Sequence, residues 1–279
     1  MTGAVEPITH EFQHYVCKRH LELFLPERTK DRRLHVYSKK EGYQGLKSYS
    51  RIAGAVDSYP TSAEKQMSVI EGHAVHTLRD ICRGVKFDMA NPKQREQWYA
   101  LLVYMALTAT RHPETIAEWR RQIWQQISTH PRLLTNWREM RVEETMFEGL
   151  FHAIVPFILK PLQQLQWEGL RIVKSDNLFA ISDKCVDIAW GGTFGTPNDH
   201  SLVVMPVCKN AILVGGKDAE VIRPLFTSVN VSVINAVIFH RSYEYIFSTE
   251  MLDYEALRRD GKIVEDGQTL WKEQLGIPD

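Results

Sequence analysis

His14 and Tyr15, near the start of the chain, set a group that titrates near neutral pH beside a phenol. A histidine there can act as base, acid or metal ligand, or it can simply buttress a turn. Glu64 and Glu71 stand seven residues apart. On a helix rising 1.5 Å per residue their Cα atoms would lie about 10 Å apart, two turns along one side. One ion is an awkward target for both; flanking a substrate, or pairing with two different bases, suits that spacing better. Arg111 sits just before His112-Pro113, at a break between helices. It can cap the exposed carbonyls of the preceding helix, pair with a buried glutamate, or clamp an anion. Ser182-Asp183 closes a short apolar run, where a turn and a catalytic carboxylate are both common. Asn235 falls inside an apolar stretch and needs partners there.

A base, carboxylates and an arginine suit hydrolysis of a phosphodiester or a related polar substrate. The catalytic set expected on that reading is His14, Glu64, Glu71, Arg111 and Asp183, with His14 oriented by Glu71 or Glu64. The competing reading is a non-catalytic binding or interaction protein in which the same residues stitch the N-terminal segment onto the helices.

Other constellations are weaker. His73 and His76 lie three apart on one polar helix face without evident further ligands. Glu143-Glu144, Glu148 and His152 form one ladder of the kind that builds metal sites in bundles, but a second ladder is missing. No metal and no cofactor is assigned. Trp119, Trp124 and Trp137 are interleaved with Arg120, Arg121, Arg132, Arg138 and Arg141. Stacking plus phosphate contacts there leaves nucleic acid open as a partner, although Ile116, Ile123 and Ile127 at helical spacing explain part of the stretch as core. Gly191-Gly192-Thr193-Phe194-Gly195 and Gly215-Gly216-Lys217 both depart from a P-loop, and GxGxxG, GxSxG and HExxH are absent. Common nucleotide-dependent enzymes, α/β-hydrolases and zincins are disfavoured accordingly.

The elements that must position these residues follow from periodicity. Leu34 to Ser38 reads as a strand, Lys39 to Gly45 as its turn, and Gln44 to Ile52 as the returning strand. Ser62 caps a helix that runs to about Gly84; Met67, Ile70, Ala74, Leu78 and Ile81 form its apolar arc, and Glu64 and Glu71 lie on the arc's edge. Further helices are expected over Pro92 to Thr110, Pro113 to His130 and Arg132 to Glu148. Beyond Pro161, runs at Gly169 to Val173, Leu178 to Ser182, Leu202 to Met205 and Ile212 to Val214 read as antiparallel strands. A helix returns over about Val229 to Tyr245. Connections are too short for repeated βαβ units.

The fold class is therefore α+β: an N-terminal hairpin and a helical bundle packed with a small C-terminal antiparallel sheet. One domain over 1–279 is expected, with the hairpin at about 30–55, the helical part at about 61–160 and the sheet-rich part at about 168–248. The 279 residues are 44 % hydrophobic and carry no net charge. So long a chain folds without staples, and neutrality argues against a general nucleic-acid coat. Cys17, Cys82, Cys185 and Cys208 form no CxxC pair, which suits free thiols in a reducing compartment. With no leader-like N-terminus and no apolar run long enough to span a bilayer, a soluble cytoplasmic protein without membrane contact is expected.

The segment His14-Tyr15-Val16-Cys17-Lys18-Arg19-His20-Leu21-Glu22-Leu23-Phe24 resembles the HYVP-type opening of domain-of-unknown-function family 4238. Leu34 to Lys39, Ser58-Tyr59 followed by Glu64 and Glu71, Thr110-Arg111-His112-Pro113, Trp167 before Phe179 to Asp183, Leu202 to Pro206, and Asn235 resemble later motifs of that family in the same order. The likeness runs from about His14 to Ser248. Cys17 stands where the family usually has proline, Arg19 where it has an aromatic residue, Lys184-Cys185 where Asn-Pro is common, and Val207-Cys208 where Leu-Ser is found. The resemblance implies architecture and a set of residues, and it implies no reaction.

Overall fold

The structure is a computed structural model and describes residues 12–26, 32–56, 61–128, 155–171, 178–189, 201–217 and 231–262. It is an α+β fold. In chain order come β1 (Phe12–His14), α1 (Lys18–Leu21), β2 (Arg33–Ser38), β3 (Gly42–Ser48), β4 (Gly54–Val56), α2 (Thr61–Cys82), α3 (Pro92–Thr110) and α4 (Pro113–Ser128). Then follow α5 (Val155–Leu162), β5 (Gln166–Arg171), β6 (Ile181–Ser182), β7 (Asp187–Ala189), β8 (Leu202–Cys208), β9 (Ala211–Gly216), α6 (Val231–Arg241), β10 (Tyr245–Ser248) and α7 (Tyr254–Lys262). The helix expected over Arg132 to Glu148, the Glu143-Glu144, Glu148 and His152 ladder, and Arg132, Trp137, Arg138 and Arg141 lie outside the described residues. None of the described helices is long and apolar enough to cross a membrane.

The α2 helix buries Met67, Ala74, Leu78 and Ile81 and exposes Lys65, Gln66, His73 and His76, as its periodicity requires. It ends in a Schellman arrangement: Gly84 at φ 80° lets its own N–H reach the Ile81 carbonyl and the Val85 N–H reach the Asp80 carbonyl. Asn91 caps α3 through its side chain, which accepts from the N–H groups of Lys93 and Gln94, and Pro92 occupies the first helical position, where a missing N–H costs nothing. The second half of α3, from Leu101 to Leu107, is almost wholly buried. It carries Arg111 into the interior at its C-terminus.

The sheets are antiparallel, as expected, and their strand order adds long-range pairings. The expected hairpin β2–β3 is present and pairs with a strand from near the end of the described chain. It belongs to a four-stranded sheet of order β3-β2-β10-β6, in which β10 pairs antiparallel with β2 from Tyr245↔Ser38 to Ser248↔His35. A two-stranded hairpin is marginal alone, and β10 covers its β2 edge. The second sheet has the order β5-β9-β8-β7, and β1 pairs with β4. Of the run Leu178 to Ser182, Ile181–Ser182 alone is strand, while α6 stops at Arg241 and Tyr245 opens β10 instead of ending the helix. One apolar core joins residues of the N-terminal segment, α2, α3, α5, β8, β9 and β10.

Candidate functional site

The N-terminal segment is laid against the helices by backbone pairing first. His14 faces Gly54 across β1 and β4, and the N–H groups of Tyr15 and Val16 both donate to the Ala53 carbonyl at 2.9 and 3.2 Å. This brings Tyr15 under the C-terminus of α3. There the Arg111 side chain is 1 % exposed and forms an ion pair with Glu71, while its Nε–H donates to the Tyr15 carbonyl. Glu71, on the border of the α2 apolar arc, keeps 18 % of its side chain exposed. One guanidinium therefore ties α3, α2 and the N-terminal segment together.

His14 is half-buried and hydrogen-bonded to the backbone of Ser50. Burial lowers its pKa, the charges of Lys18 and Arg111 push the same way, and Glu71 opposes them. The Cys17 thiol is pushed up to about 12, by burial first and then by the Glu71 carboxylate. It is a protonated thiol and no nucleophile at neutral pH. Glu64, in the first turn of α2, is partly buried; Glu71 is the carboxylate that meets Arg111.

Asp183, expected as a pocket carboxylate, is 2 % exposed, and its carboxylate oxygens are engaged by backbone N–H groups. Its Oδ1 accepts from the Tyr243 N–H at 2.9 Å, and its Oδ2 accepts from Glu244 and Tyr245 at 2.7 and 2.8 Å. Burial raises its pKa and these three bonds pull it back. It thus fixes the turn between α6 and β10. Lys39 closes the same turn from the hairpin, donating to the carbonyls of His240, at 2.5 Å, and Ser242. A cation is well placed at that helix C-terminus. Asn235 does comparable work on the next segment: its Oδ1 accepts from Ala180 and its Nδ2 donates to Leu178, both at 2.9 Å.

Two buried histidines, neither picked out by sequence reasoning, complete the interior polar network. His112 stacks on Tyr243 at 3.9 Å and meets the Tyr15 ring edge-on at 4.7 Å. Its Nδ1 accepts from the Glu114 N–H at 3.2 Å, capping α4, and its Nε2 lies 3.9 Å from Asp183. His20 places Nε2 3.0 and 3.1 Å from the carbonyls of Pro206 and Val207, and Nδ1 3.1 Å from the Tyr104 hydroxyl. That set of partners is satisfied by a neutral ring, Nε2–H donating and Nδ1 accepting. Their short polar surroundings in sequence carry no periodic signal; only the approach of β8 and α3 gives His20 its partners.

Burial lowers both histidines to a pKa of about 4. An unfolded chain binds these protons near pH 6.5 while the folded one refuses them until about pH 4, so stability is complete above pH 6.5 and is lost on acidification between those values. Urea unfolding at pH 5 should show a loss of about 2 kcal/mol per histidine relative to pH 7.5. His112→Asn keeps a cap acceptor and removes the titration, so it should flatten about half of this slope. An unchanged slope in that variant would assign the pH dependence elsewhere.

An open groove lies away from this network. It runs between the C-terminal end of α2, the first half of α3 and β5, with Trp98 and Trp167 among its lining residues and none of His14, Glu64, Glu71, Arg111 or Asp183. Among the described residues no group of three or more His, Cys, Asp or Glu is placed to hold a metal ion; His73 and His76 are exposed. Of the indole–arginine stretch, Arg121 is described and is paired twice with Glu118, at 2.6 and 2.9 Å.

Comparison with curated proteins and with solved structures finds no match. Residues 13–251, which hold every part of the network and of the groove, match a family described as protein of unknown function (DUF4238), and the chain belongs to that family.

Proposed function

We propose that this chain is a non-catalytic binding protein, with its ligand in the groove beside Trp98 and Trp167 and its His/Glu/Arg cluster serving to hold the N-terminal segment in place. The observation that carries this reading is the state of Arg111. A phosphodiester hydrolase built on His14, Glu64, Glu71, Arg111 and Asp183 needs its cation turned toward substrate. Arg111 is 1 % exposed and committed to Glu71 and the Tyr15 carbonyl. Asp183 is likewise committed, to three backbone N–H groups. The hydrolase reading keeps one observation in its favour: Glu71 and His14 retain some access to solvent, and each is in the other's field.

Turnover of bis(p-nitrophenyl) phosphate, with and without added divalent metal, separates the two. The expected rate is the same for wild type and for His14→Ala. Hydrolysis that disappears in His14→Ala, while the variant keeps the wild-type melting temperature, would overturn the binding reading.

A further inference from the structure

The groove encloses about 840 Å³, within the range of sites that take up a small organic ligand. Aromatic side chains form one part of it. The Trp98 ring centroid lies 5.6 Å from that of Phe87 and 6.1 Å from that of Trp167, the latter pair edge to face. Trp167 is fixed from two sides. Its Nε1–H donates to the Leu162 carbonyl at 3.1 Å, and its ring packs so closely on Gly215 that a Cβ there would come within 2.7 Å of it. Glycine at 215 is what lets the indole lie against β9. Tyr99 adds a further aromatic ring that is 48 % exposed.

The charges are one-sided. Among the described residues, Lys86, Arg95 and Arg171 line the groove against a single carboxylate, Glu168, on a chain with no net charge. Arg171 is held in position, its Nη1 donating to the Arg83 carbonyl at the end of α2 at 3.1 Å. A surplus of cations around exposed aromatic surface favours a ligand that is both planar and anionic. Bases of any sequence stack on aromatic side chains, and guanidinium groups bind phosphate through charge-assisted hydrogen bonds.

We infer that the groove binds a nucleobase carrying a phosphate, as a free mononucleotide or as an unpaired end of a nucleic acid. This rests on the reading of the chain as a binding protein and adds the class of ligand. Stacking comes from Trp98 and Tyr99, and phosphate pairing from Arg95 and Arg171.

The test is calorimetric titration of the full chain with adenosine monophosphate, a single-stranded oligonucleotide of about eight nucleotides, adenosine, inorganic phosphate and 8-anilinonaphthalene-1-sulfonate. A phosphate-bearing base should bind at least about tenfold more tightly than adenosine, because the nucleoside leaves the cations unanswered. Tyr99→Ala and Arg95→Gln change exposed side chains and should leave the melting temperature in place. Each should weaken nucleotide binding by about 5- to 150-fold, and Arg95→Gln should also reduce its salt dependence. Tighter binding of the oligonucleotide identifies the ligand as a nucleic-acid end; adenosine monophosphate binding that the oligonucleotide does not exceed identifies it as a free nucleotide. If neither nucleotide probe binds while the anilinonaphthalene sulfonate binds and is lost in Tyr99→Ala, the nucleotide assignment is overturned and the binding groove stands. Failure of every probe, or nucleotide binding indifferent to both substitutions, overturns the assignment and the groove together.

Discussion

Arg111→Met should lower the free energy of unfolding by about 3–5 kcal/mol, the usual cost of removing one partner from a buried ion pair. The loss has two parts. The Glu71 carboxylate keeps its partial burial without its cation, and the Tyr15 carbonyl loses the Nε–H that it accepts. Urea unfolding followed by circular dichroism measures it as a shift in midpoint at constant slope. The double variant Arg111→Met with Glu71→Leu should be more stable than Arg111→Met alone, because it removes the stranded charge and fills the space with apolar atoms. Amide exchange should locate the damage: protection is expected to fall first at Tyr15 and Val16, whose N–H groups bond to Ala53. A single-variant loss under about 1 kcal/mol, the level of an exposed pair, would show that Arg111 is not the anchor of the N-terminal segment. The binding reading would then lose the observation on which it stands.

Asp183→Ala should be comparably severe, at about 3–5 kcal/mol, since it leaves three N–H donors in a partly buried turn without their acceptor and each such donor costs about 1–3 kcal/mol, with water recovering part. Asp183→Asn should fall between the two. Its Oδ1 can still accept, but its amide nitrogen has to face N–H groups that need an acceptor. The same unfolding experiment reads both variants. The geometry also says where native exchange accelerates: at Tyr243, Glu244 and Tyr245, and through Tyr245 at the pairing of β10 with β2. If Asp183→Ala unfolds within about 1 kcal/mol of wild type, below the cost of one stranded donor, the carboxylate is not the clamp of this turn, and a role in binding or chemistry regains its place.

These outcomes bear on how a carboxylate, a histidine and an arginine should be weighed when they turn up in apolar company. Arg111 next to a helix break read equally well as a helix cap, an ion-pair partner and an anion clamp, and all three uses have the same local pattern. What separates them is whether the head group opens onto solvent, and that depends on packing by α2 and the N-terminal segment, which are 40 and 96 residues away in sequence. Asp183 poses the same difficulty. A Ser-Asp pair at the end of a strand signals a turn, yet its three donors come from a loop some 60 residues later.

The sequence by itself determined the elements whose signals are local. The α2 helix follows from its apolar arc, α3 from Pro92 at its start and Thr110 to Pro113 at its end, β2–β3 from alternation around a turn, and β8–β9 from two apolar runs about a short connection. Each of these is decided within a few residues by sterics, capping and burial of one face, and so each is legible without a partner. The order of motifs along the chain also carried the family. Tertiary structure decided what joins those elements. The pairing of β2 with β10, the burial of Arg111, the neutral state of His20 and His112, and the meeting of Trp98 with Trp167 all depend on segments far apart in sequence. Their free energy comes from desolvation and from partners that arrive only when the chain has closed on itself, and no local pattern records that.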